Sequence, residues 1–198
     1  MKKLVPDDAV LVPEEATLVF SGIIYSVYQW QQTLFDNSKT TFEMLKRPDT
    51  VATICIVDDK ILVLEEEQPH SGVRTSFPTG RVDTSDESTL TAAKREVLEE
   101  TGYSFNSWKL IGIEQPHTKI EWFIYTYVAW GASNQTTPHL DAGEKIELKQ
   151  LPFETVKQWS LKPHKNSYMG ESSAYFEPSK SIDDLQKIAE FQGQSVDR

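Results

Sequence analysis

The sequence predicts an α+β fold: a mixed β-sheet with few helices, arranged as a three-layer α/β/α sandwich. Three observations carry that prediction. Runs rich in Val, Ile, Thr and aromatics recur from Thr17 to Trp130. A single amphipathic helix is signalled between about Thr84 and Gly102. A second helical pattern, FETVKQWS at residues 153–160, follows the last strand. The 198 residues suffice for one sizeable domain with an extension. They divide into a β-rich extension at 1–48, a main domain at 49–162 and a tail at 163–198.

In order, TLVFSGIIYSVYQWQQTLF and TTFEMLKRP flank the turn-forming Asp36-Asn37-Ser38-Lys39 and read as a hairpin. VATICIV and KILVLEEE flank Asp58-Asp59 and read as another. Thr84-Ser85-Asp86-Glu87 has capping-box spacing and places a helix start there, and Gly102 suits the stop. KLIGI and EWFIYTYVAW follow as strands, then GASNQTTPHLDAGE as a loop and KIELKQL as a short strand. KPHKNSYMGESSAYFEPSK has no clear period and reads as loop. SIDDLQKIAEFQ reads as a terminal helix with Ser181 as its N-cap.

Composition narrows the function classes. A formal net charge of −10 opposes general nucleic-acid binding, which relies on Lys and Arg against phosphate. A phosphorylated substrate would therefore need a cation or a local basic patch. The one cysteine, Cys55, lies in the apolar run VATICIV and reads as a core thiol, in keeping with a reducing compartment. No stretch approaches the roughly 18–20 apolar residues that span a bilayer, and MKKLVPDDAV lacks the apolar core of a secretion signal. The expectation is a cytoplasmic protein with no membrane partner. The four histidines show no metal-ligand pairing.

The helix poses a physical question. On its predicted path Leu90, Ala93 and Val97 share one face, Glu96 and Glu100 flank it, and Glu99 lies a step further round. Glu96 and Glu100 fall about 5–6 Å apart by Cβ geometry, and in a partly desolvated site two such charges repel by about 3 kcal/mol. A solvated acidic face, with Arg95 pairing to Glu99, is the plain explanation. Ligation of a divalent cation is the functional one, because Mg²⁺ and Mn²⁺ take hard oxygen ligands and leave positions open for phosphates.

Gly80, Glu87 and Arg95-Glu96-Val97-Leu98-Glu99-Glu100-Thr101-Gly102-Tyr103 resemble the Nudix box, G-x5-E-x7-R-E-U-x-E-E-x-G-U, with U bulky and apolar. One departure stands out: six residues, not five, separate Gly80 from Glu87. Asp86 holds the standard spacing to Gly80 but not to Arg95, and the extra residue is placed in the loop RVDTSD. The resemblance implies the Nudix hydrolase fold, with Glu96 and Glu100 as principal metal ligands. It also implies Glu99 as a further ligand, direct or through a water, and the Thr79 carbonyl as another. Arg95 would orient the carboxylates and Glu87 would support the loop–helix junction.

From about residue 15 to 160 the chain is most similar to ADP-ribose pyrophosphatases. RPDTVATICIVDDKILVLEEEQP followed by FPTGRVD resembles their paired strands and Pro-Ala-Gly loop, although Pro69-His70 stands where an Arg is common and Ser76 where a Glu is common. The resemblance implies Mg²⁺ (or Mn²⁺)-dependent cleavage of ADP-ribose to AMP and ribose 5-phosphate. Another nucleotide sugar, or a nucleoside triphosphate, is the alternative, and an inactive ligand-binding regulator a more distant one. By position in DAGEKIELKQLP, Glu144 is the first candidate for the general base, with Glu147 and Asp141 behind it. Arg74 is the candidate phosphate-binding charge, and Trp30 and Tyr28 are candidates to stack the purine. The upstream hairpin resembles a region exchanged between subunits, which implies a homodimer.

Overall fold

The computed structural model describes residues 2–68, 72–140, 145–162 and 169–197. The strands are β1 (Lys2–Val5), β2 (Thr17–Ser21), β3 (Ser26–Thr33), β4 (Lys39–Lys46), β5 (Thr50–Val57), β6 (Lys60–Gln68) and β7 (Gly72–Ser76). They continue with β8 (Thr79–Arg81), β9 (Tyr103–Glu114), β10 (Ile120–Glu121), β11 (Ile124–Gln135), β12 (Lys145–Pro152) and β13 (Gln194–Asp197). The helices are α1 (Thr89–Thr101), α2 (Phe153–Leu161), α3 (Ser173–Phe176), which a 3₁₀ turn (Met169–Ser172) precedes, and α4 (Ile182–Lys187). Contacts separate Met1–Thr50, Ile113–Ile124 and Gln192–Arg198 as one unit from Val51–Gly112 and Tyr125–Phe191 as another. No helix among the described residues is long and apolar enough to cross a membrane.

In the first unit, β10-β4-β3-β2 form one sheet and β1 pairs antiparallel with β13. β3 and β4 make the hairpin expected around Asp36, whose carboxylate accepts from the Ser38 N–H and hydroxyl. The upstream run is broken after Ser21, so its first part is a separate edge strand, β2. Glu121 is 1% exposed, and its carboxylate meets Lys46 at 2.6 Å and the Val12 N–H at 2.7 Å. Asp49 pairs with Lys3 at 2.7 Å, while burial pushes its carboxyl above the usual value. β2 and the turn after it leave Leu18, Phe20, Ile23 and Ile24 exposed, with Ile23 at 98%.

The second unit holds the larger sheet, ordered β12-β6-β5-β11-β9, with β7 on β6 and β8 on β5. Asp58 and Asp59 turn β5 into β6 with φ of 48° and 59°, the left-handed pair that matches strand twist in a two-residue hairpin. Strand alternation then builds the three layers. Ile54, Ile56, Ile61 and Val63 pack with Phe153 and Val156 of α2 and with Met169, Phe176, Ile182 and Leu185. Cys55, Val57 and Leu62 face the other way, against Val97 of α1. The α/β/α sandwich is therefore formed, and Cys55 is the core thiol expected, with burial raising it well above an ordinary thiol.

Several boundaries differ from those the sequence predicts. β11 continues to Gln135, so the first part of the GASNQTTPHLDAGE loop is strand. Trp122 and Phe123 lie between β10 and β11 rather than within one strand. The expected loop after Leu161 contains the 3₁₀ turn and α3, because Met169 and Phe176 are both fully buried and draw that segment onto the sheet. The terminal helix is only Ile182–Lys187, and Ser181 at its N-cap makes no side-chain capping bond.

Candidate active site in residues 76 to 102

The loop before α1 is set by backbone contacts. The Thr53 N–H donates to the Pro78 carbonyl at 2.9 Å, fastening the Pro-Thr-Gly turn to β5. The Thr79 hydroxyl donates to the Phe77 carbonyl at 2.8 Å, and the Thr79 N–H donates to Glu100 Oε2 at 3.0 Å. Gly80 leaves room for Glu96: a Cβ there would lie 1.9 Å from Glu96 Cδ and 2.2 Å from both carboxylate oxygens, so any side chain would displace that carboxylate. Glu96 thus lies across Gly80 while Glu100 reaches Thr79.

Helix α1 begins later than the capping-box spacing suggests. Ser88, not a residue of Thr84–Glu87, is the N-cap, accepting from the Thr91 N–H at 3.1 Å. Gly102 ends the helix in the left-handed region at φ 71°, as expected. Ala93 and Val97 are buried, and Leu90 is half-buried. The late start frees Asp86 to turn inward. Its carboxylate, in a residue 6% exposed, accepts from the Asp83 N–H at 2.9 Å and from Arg95 Nη2 at 2.8 Å.

Arg95 is the hub. Besides Asp86, its guanidinium donates to Glu96 Oε1 at 2.7 Å, to Glu99 Oε2 at 3.2 Å and to the Arg81 carbonyl at 2.9 Å. The Asp86 hydrogen bonds, and then those to Glu96, hold the guanidinium above its ordinary pKa, so it stays charged. Conversely, Arg95 holds the Asp86 carboxyl below the usual carboxylate range. Glu96 is pushed up by burial, which Arg95 opposes only in part. Sequence reasoning assigns the loop–helix support to Glu87, but Glu87 is exposed and Asp86 makes the bonds to Arg95. The signal is its regular spacing to Gly80: the extra residue is taken up between Asp86 and Arg95 by the start of the helix.

Asp141 and Glu144 lie outside the described residues. Glu147 lies on β12 opposite Glu65, its side chain 73% exposed and 4.0 Å from Lys149. Arg74 lies on β7 opposite Glu66, which it meets at 3.3 Å. Tyr28 and Trp30 belong to β3 in the first unit. Trp30 donates its indole N–H to Gln32 Oε1 at 3.0 Å and packs obliquely on Phe42, centroids 6.0 Å apart. It also lines an open groove of about 460 Å³ with Gln29 and Gln31.

The donor set suits a hard cation. Glu96, Glu99, Glu100 and the Thr79 carbonyl offer only oxygen, which is what Mg²⁺ and Mn²⁺ favour. Glu96 is desolvated beyond what Arg95 offsets, so a further positive charge would be stabilising there. Among the described residues no three acidic, His or Cys side chains converge on one point. A cation here would therefore combine one or two carboxylates with the backbone carbonyl and with substrate or water.

The NUDIX domain pattern matches residues 46–171. The chain belongs to the Nudix family. It is a Nudix hydrolase that resembles ADP-ribose pyrophosphatases. It is 30% identical over 151 residues to the ADP-ribose pyrophosphatase of Bacillus subtilis (strain 168), covering 71% of this chain and 80% of that one. It is 27% identical over 155 residues to the methanol dehydrogenase activator of Bacillus methanolicus, covering 74% of this chain and 83% of that one. The crystal structure of an ADP compounds hydrolase shares the fold, with a TM-score of 0.66 at 18% identity, covering 83% of this chain and 90% of that one.

Proposed function

We propose that this Nudix hydrolase is a divalent-metal-dependent pyrophosphohydrolase that cleaves the diphosphate of a nucleoside diphosphate linked to another moiety, with ADP-ribose, split to AMP and ribose 5-phosphate, as its foremost substrate. The observation that carries the reading is the lattice of hard oxygens around Gly80. Glu96 lies across that glycine, Glu100 is tied to the Thr79 N–H, and Arg95 steadies Glu96 and Glu99. Glu96, Glu100 and the Thr79 carbonyl would hold Mg²⁺ or Mn²⁺, with Glu99 reaching the cation through a water. When bound there, the cation neutralises the diphosphate and stabilises charge developing on the leaving phosphate.

The chain's own residues do the rest. Arg95 keeps the carboxylates oriented through charge-assisted hydrogen bonds. Glu144, ahead of Glu147 and Asp141, takes the proton from the attacking water. Arg74 contacts phosphate, and Trp30 with Tyr28 stacks the purine, an interaction worth about 1–3 kcal/mol per base. The apolar side chains exposed on β2 and the turn after it support a homodimer. The buried single thiol is in keeping with a cytoplasmic location.

The alternative substrate, another nucleotide sugar or a nucleoside triphosphate, is favoured by Ser76 and by Pro69-His70 where the resemblance leads one to expect Glu and Arg. The test is AMP or phosphate release from ADP-ribose, sugar nucleotides, dinucleotides and triphosphates, with and without Mg²⁺ or Mn²⁺. Metal-dependent cleavage led by ADP-ribose is the expected result. Cleavage led by another substrate would keep the chemistry and overturn the pocket assignment. Ligand binding without any cleavage would move the protein to a regulatory role.

A further inference from the structure

The loop that carries Thr79 and Gly80 is anchored from an unexpected direction. Phe77, its first buried side chain at 6% exposure, lies under the ring of Phe176, with centroids 6.0 Å apart and planes 4° from parallel. Phe176 is fully buried, ends α3 and packs also on Phe153 at the start of α2, centroids 5.9 Å apart. The segment that presents it is fastened at several points. Lys157 donates to the Glu177 and Ser179 carbonyls, and the Ser179 hydroxyl donates to the Tyr175 carbonyl at 2.7 Å. Lys109 donates to the Gln186 and Ile188 carbonyls at 2.6 and 2.9 Å, which closes the exit of α4.

On the other side, Phe77 connects to the acids through Thr79, whose hydroxyl donates to the Phe77 carbonyl and whose N–H donates to Glu100. A displacement of the Phe77 ring would therefore move the Thr79 peptide against Glu100 and the Gly80 backbone against Glu96. The last contact is close, since a Cβ on Gly80 would meet the Glu96 carboxylate.

We infer that Phe176 is a positioning residue for the diphosphate site: through its stack on Phe77, the C-terminal segment sets the Thr79–Gly80 loop against Glu96 and Glu100. This rests on the proposed reading of the site, and it touches neither substrate nor metal itself. Closely packed interiors transmit such a displacement instead of absorbing it.

The experiment compares Phe176→Ala and the milder Phe176→Leu with Leu185→Ala, in the full chain. Leu185 is equally buried in the same cluster but has no ring to lay on Phe77. The first readout is hydrogen exchange of the Thr79 amide without metal. Both Phe176 variants are expected to speed it by about tenfold or more while Leu185→Ala leaves it near wild type. The second is hydrolysis, where a misplaced loop should lower kcat by about ten- to a hundredfold and raise the Mg²⁺ concentration needed for half-activity. Equal exchange in all three variants, or activity that merely tracks melting temperature, would overturn the inference. Altered Thr79 exchange in a protein that cleaves no diphosphate would uphold the positioning role and refute the proposed function instead. Should Phe176→Ala fail to fold, Phe176→Leu carries the same two readouts.

Discussion

The loop and helix of residues 76 to 102 and the β2–β3–β4 sheet of the first unit treat their side chains in opposite ways. In the former the buried Asp86 is tied to Arg95, Arg95 makes hydrogen bonds to four residues, and Glu96 is packed so closely that Gly80 admits no side chain. In the latter Leu18, Phe20, Ile23, Ile24 and Phe35 remain exposed, Phe35 completely. The charged groups of one region answer one another within about two dozen residues, as a local chemical device can. The other carries more apolar surface than its own chain covers, the usual mark of a surface meant for something else.

The sharpest way to break that comparison is to disable the acidic region. Glu100→Gln keeps an oxygen for the Thr79 N–H, so circular dichroism and melting should barely change. Its turnover should fall by about a thousandfold through loss of the charge. Near-normal AMP release from that variant would remove Glu100 from the ligand set.

The contrasting region is tested by charge. Ile23→Asp with Phe35→Asp leaves the described core untouched, as both side chains are solvent-exposed. Light scattering should show a wild-type dimer and a variant shifted to monomer. A wild-type monomer would deprive the exposed strand of the partner proposed for it.

The smallest effect distinguishes Asp86 from its neighbour. Asp86→Asn weakens charge-assisted bonds to Arg95 and should cost about 2 kcal/mol. Glu87→Gln, at an exposed position, should stay within about 0.5 kcal/mol. The two are separated by urea unfolding at neutral pH. The pH dependence has a definite sign. Arg95 lowers the Asp86 carboxyl below its ordinary 3.8, so its stabilisation is complete above that value and is lost as pH falls through the lowered one. The gap between wild type and Asp86→Asn should therefore close under acid. A gap that widened there would assign the stabilisation to another carboxylate.

Features set by local rules are legible in the residue order alone. Two adjacent residues at positive φ are needed for a tight hairpin, and Asp58-Asp59 provides them. Gly102 stops α1 because a residue without Cβ enters the left-handed region at little cost. The i, i+3 and i, i+4 steps group Glu96, Glu99 and Glu100 with one another and bring Glu99 within reach of Arg95 whatever the rest of the chain does. The exact start of α1 is less legible, since Thr84 and Ser88 are both competent caps and only the folded chain, with Asp86 buried, shows that Ser88 is used.

By itself, then, the sequence determined the layered α+β class, the hairpins, the helix with its acids, and the family to which that spacing belongs. All of these depend on contacts within one strand turn or one helix turn, where geometry follows from residue order. Tertiary structure alone decided that Asp86 rather than Glu87 answers Arg95. It likewise decided that Gln194–Asp197 pairs with Lys2–Val5 and that Phe176 lies on Phe77. Those choices join residues far apart in the chain or weigh one burial against another, and no local period encodes which distant surface will close over them.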